Sequence, residues 1–213
     1  MATQIDATIS LEPGDRLTRE EFHRRYLANP HIRKAELIEG VVYMPSPVRA
    51  RQHGRPHGAL VGWLFAYTAL NPDVVMFDNA TVYLEGHNEV QPDACLWQDG
   101  AESARLTDEG YILGGPQFVA EVAASSVGYD LHGKKEAYRL SGVHEYIVWR
   151  VLESAIDWFR LQDGEYVTIE PDAEGIVESD RYPGLRLHVP SMLAGDAAAV
   201  LAALRAPGTS EQP

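Results

Sequence analysis

The chain has 213 residues, 45% of them apolar, enough to bury one substantial core and within the range of a single domain. Its single cysteine, Cys95, excludes an internal disulfide framework and any zinc site built from several thiolates. With 18 Lys plus Arg against 31 Asp plus Glu, the net charge of −13 argues against a nonspecific nucleic-acid-binding surface, although Arg49, Arg51 and Arg55 concentrate positive charge in one short stretch.

Met1 to Leu11 has neither a basic start nor an apolar middle, so it does not read as a secretory signal. The longest apolar runs, such as Phe118 to Ala124, fall far short of the ~20 residues needed to span a membrane. A cytoplasmic protein without a membrane span is expected, with one domain over 12–205 and flexible tails at 1–11 and 206–213. Thr18-x-x-Glu21 opens a short amphipathic helix that carries Phe22, Tyr26 and Leu27 and stops at Asn29-Pro30. Glu36 to Met44 is a hairpin or bent strand around Glu39-Gly40, ended by Pro45 and Pro47. After Pro56 a second helix carries Leu60, Val61, Leu64 and Phe65 at helical spacing and closes at Asn71-Pro72. Strands are expected at Val74 to Phe77, Thr81 to Leu84 and Val90 to Trp97. Phe118 to Ala124 reads as a strand buried on both faces, followed by a helix from about Asp130 to Leu140 and a strand from Glu145 to Val151, the order of a crossover unit. Further strands at Ile156 to Leu161, Tyr166 to Ile169 and Leu185 to Val189 precede an Ala-rich helix from Ser191 to about Arg205. The sum is α/β, with helices packed on a mixed sheet.

One residue interrupts the most apolar strand: Glu121. Burying a lone carboxylate is costly, so a cation, a proton or dense hydrogen bonding must compensate. Asp93, just after Pro92 in another strand-like segment, supplies a second carboxylate, and two such oxygen donors on adjacent strands suit Mg²⁺. Asp130, Lys134 and Tyr138 are four apart and share one helical face. In isolation that trio reads as an N-cap, its ion-pair partner and a packing residue. One helix after a metal-binding strand, the same lysine can stabilise charge on a scissile phosphate.

Glu36-Leu37-Ile38-Glu39-Gly40, His53, Pro92-Asp93, Glu121-Val122, Asp130-(x)3-Lys134-(x)3-Tyr138 and Gly142-Val143-x-Glu145-Tyr146 follow in this order. From about Glu36 to Trp149 the chain resembles the Uma-two type of restriction-endonuclease-like proteins, which are similar in fold to PD-(D/E)xK nucleases. The resemblance implies a mixed β-sheet flanked by α-helices and Mg²⁺-dependent cleavage of nucleic acid, with Mn²⁺ as a substitute ion. By position it implies Asp93 and Glu121 as metal ligands, Lys134 as catalytic lysine and Glu36 as a supporting acid.

The sequence departs from the commonest pattern in three places. Ala123 stands where the parent arrangement has its lysine, so Lys134 must act from the helix; Ala124 replaces a frequent Ser, and Arg150 a frequent Asp. His53 and His57 are four apart, but Gly54 and Pro56 between them argue against a zinc-protease helix. His53, Arg49, Arg51 and Arg55 are candidate phosphate-contacting groups, whose bland account is a cluster at a helix start. Lys135 is expected to be solvated, and Gly114-Gly115-Pro116 to be a loop without phosphate-cradle spacing. The leading reading is a Mg²⁺-dependent DNA endonuclease, a homodimer being one form it would take. Alanine at Asp93, Glu121 or Lys134 should then abolish cleavage and leave the fold intact. The alternatives are a catalytically inactive nuclease-fold interaction module and a metal-free acid/base hydrolase using Asp93 with Glu121.

Overall fold

A computed structural model of the protein describes residues 10–45, 49–98 and 103–204. Of the expected tails at 1–11 and 206–213, residues 1–9 and 206–213 lie outside the described residues, as do Pro47 and Arg205. Helix α1 (Arg19–Ala28) starts where Thr18 Oγ1 accepts the Glu21 N–H at 3.3 Å. Glu21 does not close a capping box, because its carboxylate is taken by Arg24 and Arg25. Phe22 is buried but Leu27 is exposed, so the apolar face is narrower than the sequence suggests. Strands β1 (Glu36–Ile38) and β2 (Val41–Tyr43) form a hairpin through Glu39 and Gly40, whose φ values of 52° and 73° are the left-handed pair of a two-residue turn.

A π turn at Ala50–Gly54 leads into α2 (Arg55–Leu70). The helix begins before Pro56 rather than after it, since a proline in the first turn gives up an N–H that has no intrahelical partner anyway. Strands β3 (Val74–Asp78), β4 (Val82–Leu84), β5 (Asn88–Val90) and β6 (Ala94–Gln98) follow. The single strand expected from Val90 to Trp97 is therefore two, divided at Gln91-Pro92-Asp93. Short strands β7 (Ala104–Leu106) and β8 (Ile112–Gly114) precede the buried strand β9 (Phe118–Ala123).

The next helix is also two, α3 (Val127–Leu131) and α4 (Gly133–Leu140), broken where His132 adopts φ −122° and ψ −90°. Then come β10 (Glu145–Arg150), β11 (Ala155–Gln162), β12 (Glu165–Thr168), β13 (Ile176–Glu178) and β14 (Arg186–His188). The Ala-rich segment forms α5 (Val189–Ala194) and α6 (Ala197–Ala203), separated by the left-handed Gly195 and by Asp196, which caps α6. Among the described residues no helix is long and apolar enough to cross a membrane.

Two six-stranded sheets result, in place of the one expected. The first has the order β2-β1-β5-β4-β8-β7 and the second β12-β11-β10-β9-β6-β3, with β13 and β14 paired apart. Strands β9 and β10 are parallel, as the crossover order requires, with Glu121 opposite Val148 and Val122 opposite Trp149. Strict alternation along β9 sends Phe118, Ala120 and Val122 into a core with Trp63 and Leu64 of α2, while Val119 and Ala123 enter a second core with Tyr138 and Val82. Glu121 shares the face of Val119 and Ala123. It therefore points between the two sheets, where the chain itself crosses from β5 of one to β6 of the other.

Candidate active site

Glu121 is 3% exposed, and its Oε1 lies 2.6 Å from Lys134 Nζ and accepts a 2.8 Å hydrogen bond from the Tyr138 hydroxyl. Lys134 also faces Glu36 Oε1 at 3.0 Å and Asp130 Oδ1 at 3.7 Å. The break at His132 preserves this meeting, since Asp130 lies in the last turn of α3 and Lys134 in the first turn of α4. Asp130 is thus a buried member of the cluster and does not cap the helix that carries Lys134. Glu36, on β1, also accepts the Gln91 N–H at 2.8 Å, so Lys134 and Glu36 bolt α4 to the first sheet.

Asp93 sits one strand from Glu121, and its Oδ2 accepts the Val122 N–H at 2.8 Å. His53 Nε2 stands 3.3 Å from the same oxygen, and Lys34 Nζ 3.5 Å from Oδ1. His57 reaches Asp78 at 3.0 Å and the Asp93 carbonyl at 3.3 Å. Because Pro56 falls in the first turn, it does not part the two imidazoles, which stack with centroids 5.5 Å apart. The structure thus brings Asp93, Glu121, Lys134, Glu36 and His53 together. Arg49 is exposed at the start of the π turn, and Arg51 and Arg55 face a different cleft.

Four carboxyl groups (Glu36, Asp93, Glu121, Asp130) meet two amines (Lys34, Lys134) in this largely buried space. Burial, reinforced by Asp93, Asp130 and Glu36, outweighs Lys134 and pushes the Glu121 carboxyl up to about 8. Burial also raises Asp130. Asp93 goes the other way: burial opposes its charge, but His53, Lys34 and the Val122 N–H hold it well below the usual carboxylate range. Burial likewise opposes the charge of Lys134, yet Glu121, Glu36 and Asp130 keep its ammonium well above the usual lysine value. The cluster holds more carboxyl groups than amines to neutralise them, which is the condition under which a buried site takes up a cation or a proton.

Among the described residues no three His, Cys, Asp or Glu side chains form a ready metal cage, because Lys134 stands between the acids. The donor set nevertheless fits Mg²⁺. That ion binds through one or two carboxylates and completes its shell with water and substrate oxygens, and Asp93 and Glu121 offer two carboxylates on neighbouring strands.

Sequence reasoning missed Lys34, which has no partner pattern of its own; its signal was the two-residue spacing to Glu36, which puts both on one face of an extended segment. Lys135 is not simply solvated, since its Nζ lies 3.4 Å from the centroid of the Phe159 ring and burial lowers its pKa. Arg150, one of the departures from the resembled pattern, does not present a free charge, because Asp157 and Glu153 both bind it.

No curated protein matches this sequence. The fold is similar to a solved structure described as a putative nuclease belonging to DUF820 from Anabaena variabilis ATCC 29413, with a TM-score of 0.62 and 15% identity, covering 84% of this chain and 98% of that one. The sequence matches the family described as "Uma2: Putative restriction endonuclease" over residues 19–190, most of its length, and the chain belongs to that family.

Proposed function

We propose that the protein is a Mg²⁺-dependent endonuclease that hydrolyses phosphodiester bonds in DNA, with Mn²⁺ able to replace Mg²⁺. The observation that carries this reading is the buried excess of carboxyl groups around Asp93 and Glu121, with Asp93 held by the N–H of Val122, the residue after Glu121, and Lys34 and Lys134 beside them. A divalent ion held by Asp93 and Glu121 would supply charge that polarises the scissile phosphate and acidifies a water. The protein's own groups divide the remaining work. Tyr138 and Lys134 fix Glu121 Oε1, and the three acids around Lys134 keep it protonated.

The Lys134 side chain is only 4% exposed, against 23% for Lys34 and 25% for His53. Lys134 therefore serves as a positioning group for Glu121. Lys34 and His53, at the open edge beside Asp93, are the groups that an incoming phosphate meets first.

The test is calorimetric titration of Mg²⁺ and Mn²⁺ into wild type and Glu121→Gln, followed by plasmid nicking under the same conditions. Metal binding that depends on Glu121, with nicking, is the expected result. A second reading, a nuclease-fold interaction module, draws on the net charge of −13 and on the lysine seated between the acids. Wild type that takes up neither ion even with DNA present, and nicks nothing, would favour that module.

A further inference from the structure

A cleft of about 160 Å³ opens on the face of the second sheet opposite Glu121, with Arg51, Arg55 and Ser154 above a floor that includes Trp149, Met192 and Gly195. Among the described residues no carboxylate lines it. Neither Arg51 nor Arg55 has an ion-pair partner among the described residues, and the acids near the end of β10, Glu153 and Asp157, are bound by Arg150. In a chain with 31 acids, two guanidinium groups left to share a concave, largely apolar space form a site for an external anion.

The backbone keeps room for this arrangement. Gly195 has φ +76°, and a side chain there would overlap the Arg55 guanidinium. The π turn and the first turn of α2 send their side chains two ways: His53 and His57 stack toward Asp93 and Asp78, while Arg51 and Arg55 line the cleft. Trp149 in the cleft floor is the register partner of Val122, whose N–H holds Asp93. The cleft and the carboxylate site therefore open at the same end of β9 and β10, from opposite faces of one sheet.

We propose that the Arg51–Arg55 cleft binds a backbone phosphate of the nucleic acid other than the one presented to the carboxylates, anchoring the strand as it passes the site. The inference rests on the nuclease reading and adds a second anchoring point to it. Fork-shaped guanidinium groups match phosphate oxygens in pairs, so the pocket selects phosphate over a spherical anion.

The experiment measures binding of a fluorescein-labelled DNA duplex, and of its separate strand, to the full chain in EDTA over a range of salt, by fluorescence anisotropy. The variants are Arg51→Gln, Arg55→Gln, Gly195→Ala and, as a remote control, Arg105→Gln. Circular dichroism checks that each is folded. Each cleft Arg→Gln variant is expected to weaken binding roughly 10-fold or more and to flatten the salt dependence by ~0.7–0.9 for each phosphate that is no longer neutralised. Gly195→Ala should weaken binding with no change in charge, and Arg105→Gln should change neither quantity. Wild-type affinity and slope in both cleft Arg variants, with plasmid nicking intact, would overturn the cleft and leave the nuclease reading standing. A wild type that neither binds nor nicks DNA would overturn both.

Discussion

The Tyr138 hydroxyl meets Glu121 in a fully buried space, so its loss leaves a carboxylate oxygen short of a donor. Tyr138→Phe is expected to cost about 1 kcal/mol of stability and to lower Mg²⁺ affinity or nicking by roughly 10-fold to 100-fold. Calorimetry and urea denaturation of the same preparation separate the two effects, and unchanged metal affinity would remove Tyr138 from the site. Lys134 carries a heavier structural burden. The sequence suggests that its replacement leaves the fold intact, but its ammonium is the shared partner of Glu121, Glu36 and Asp130. Lys134→Met should therefore destabilise by about 3–5 kcal/mol, and adding Glu36→Gln should restore part of that. If Lys134→Met unfolds at the wild-type urea midpoint, the charge count drawn for this cluster is wrong.

At the scale of elements, strength of pattern decided what the sequence disclosed. The buried strand β9, the parallel β10 and the helix α2 were legible because each carries a long apolar pattern that one reading fits. Strands β7, β8 and β13 were not, being three residues each and set by pairing partners distant in sequence. Asp93, Glu121 and Lys134 could be singled out because an ionisable group in an apolar segment needs an explanation, whereas Lys34 looked like any loop lysine. The break at His132 was equally hidden, since the four-residue spacing of Asp130, Lys134 and Tyr138 fits one continuous helix. Gly114-Gly115 shows the same limit. Read as a loop, these residues turn out to be places of close approach, where a Cβ at Gly114 would overlap the Ser103 carbonyl and one at Gly115 the Ser141 carbonyl. Gly110, also at positive φ, has open space around it. Gly110→Ala should cost only the left-handed strain of about 1–2 kcal/mol. Gly114→Ala should cost about 1–3 kcal/mol more, through overpacking. Equal losses in thermal denaturation would mean that backbone strain alone sets the glycine requirement.

Over the whole molecule, buried acids hold distant parts of the chain together and make its stability sensitive to pH. Glu145, at the start of β10, accepts hydrogen bonds from Trp158 Nε1 at 3.1 Å, from the Ser179 hydroxyl at 2.9 Å and from the Arg181 N–H at 3.0 Å. It thereby ties the second sheet to the segment between β13 and β14. Burial nonetheless outweighs these donors and raises its pKa above the usual 4.5. A carboxyl raised on folding keeps its proton in the native state after the unfolded chain has released it. Its favourable contribution is therefore full below the unfolded value and is lost as pH rises through the native one. Glu145→Gln cannot ionise, and its amide would turn one N–H toward the Trp158 donor or lose an acceptor for Ser179, so the variant is less stable than wild type at low pH. As pH rises from the carboxylate range toward neutrality, wild type alone bears the growing cost of ionising a buried group, and the stability gap between the two proteins should narrow. Groups outside this cluster titrate alike in both proteins and cancel in the difference. Urea denaturation of both at several pH values gives the gap directly, and a gap that widens toward neutral pH would show that the three donors stabilise the Glu145 anion more than burial opposes it.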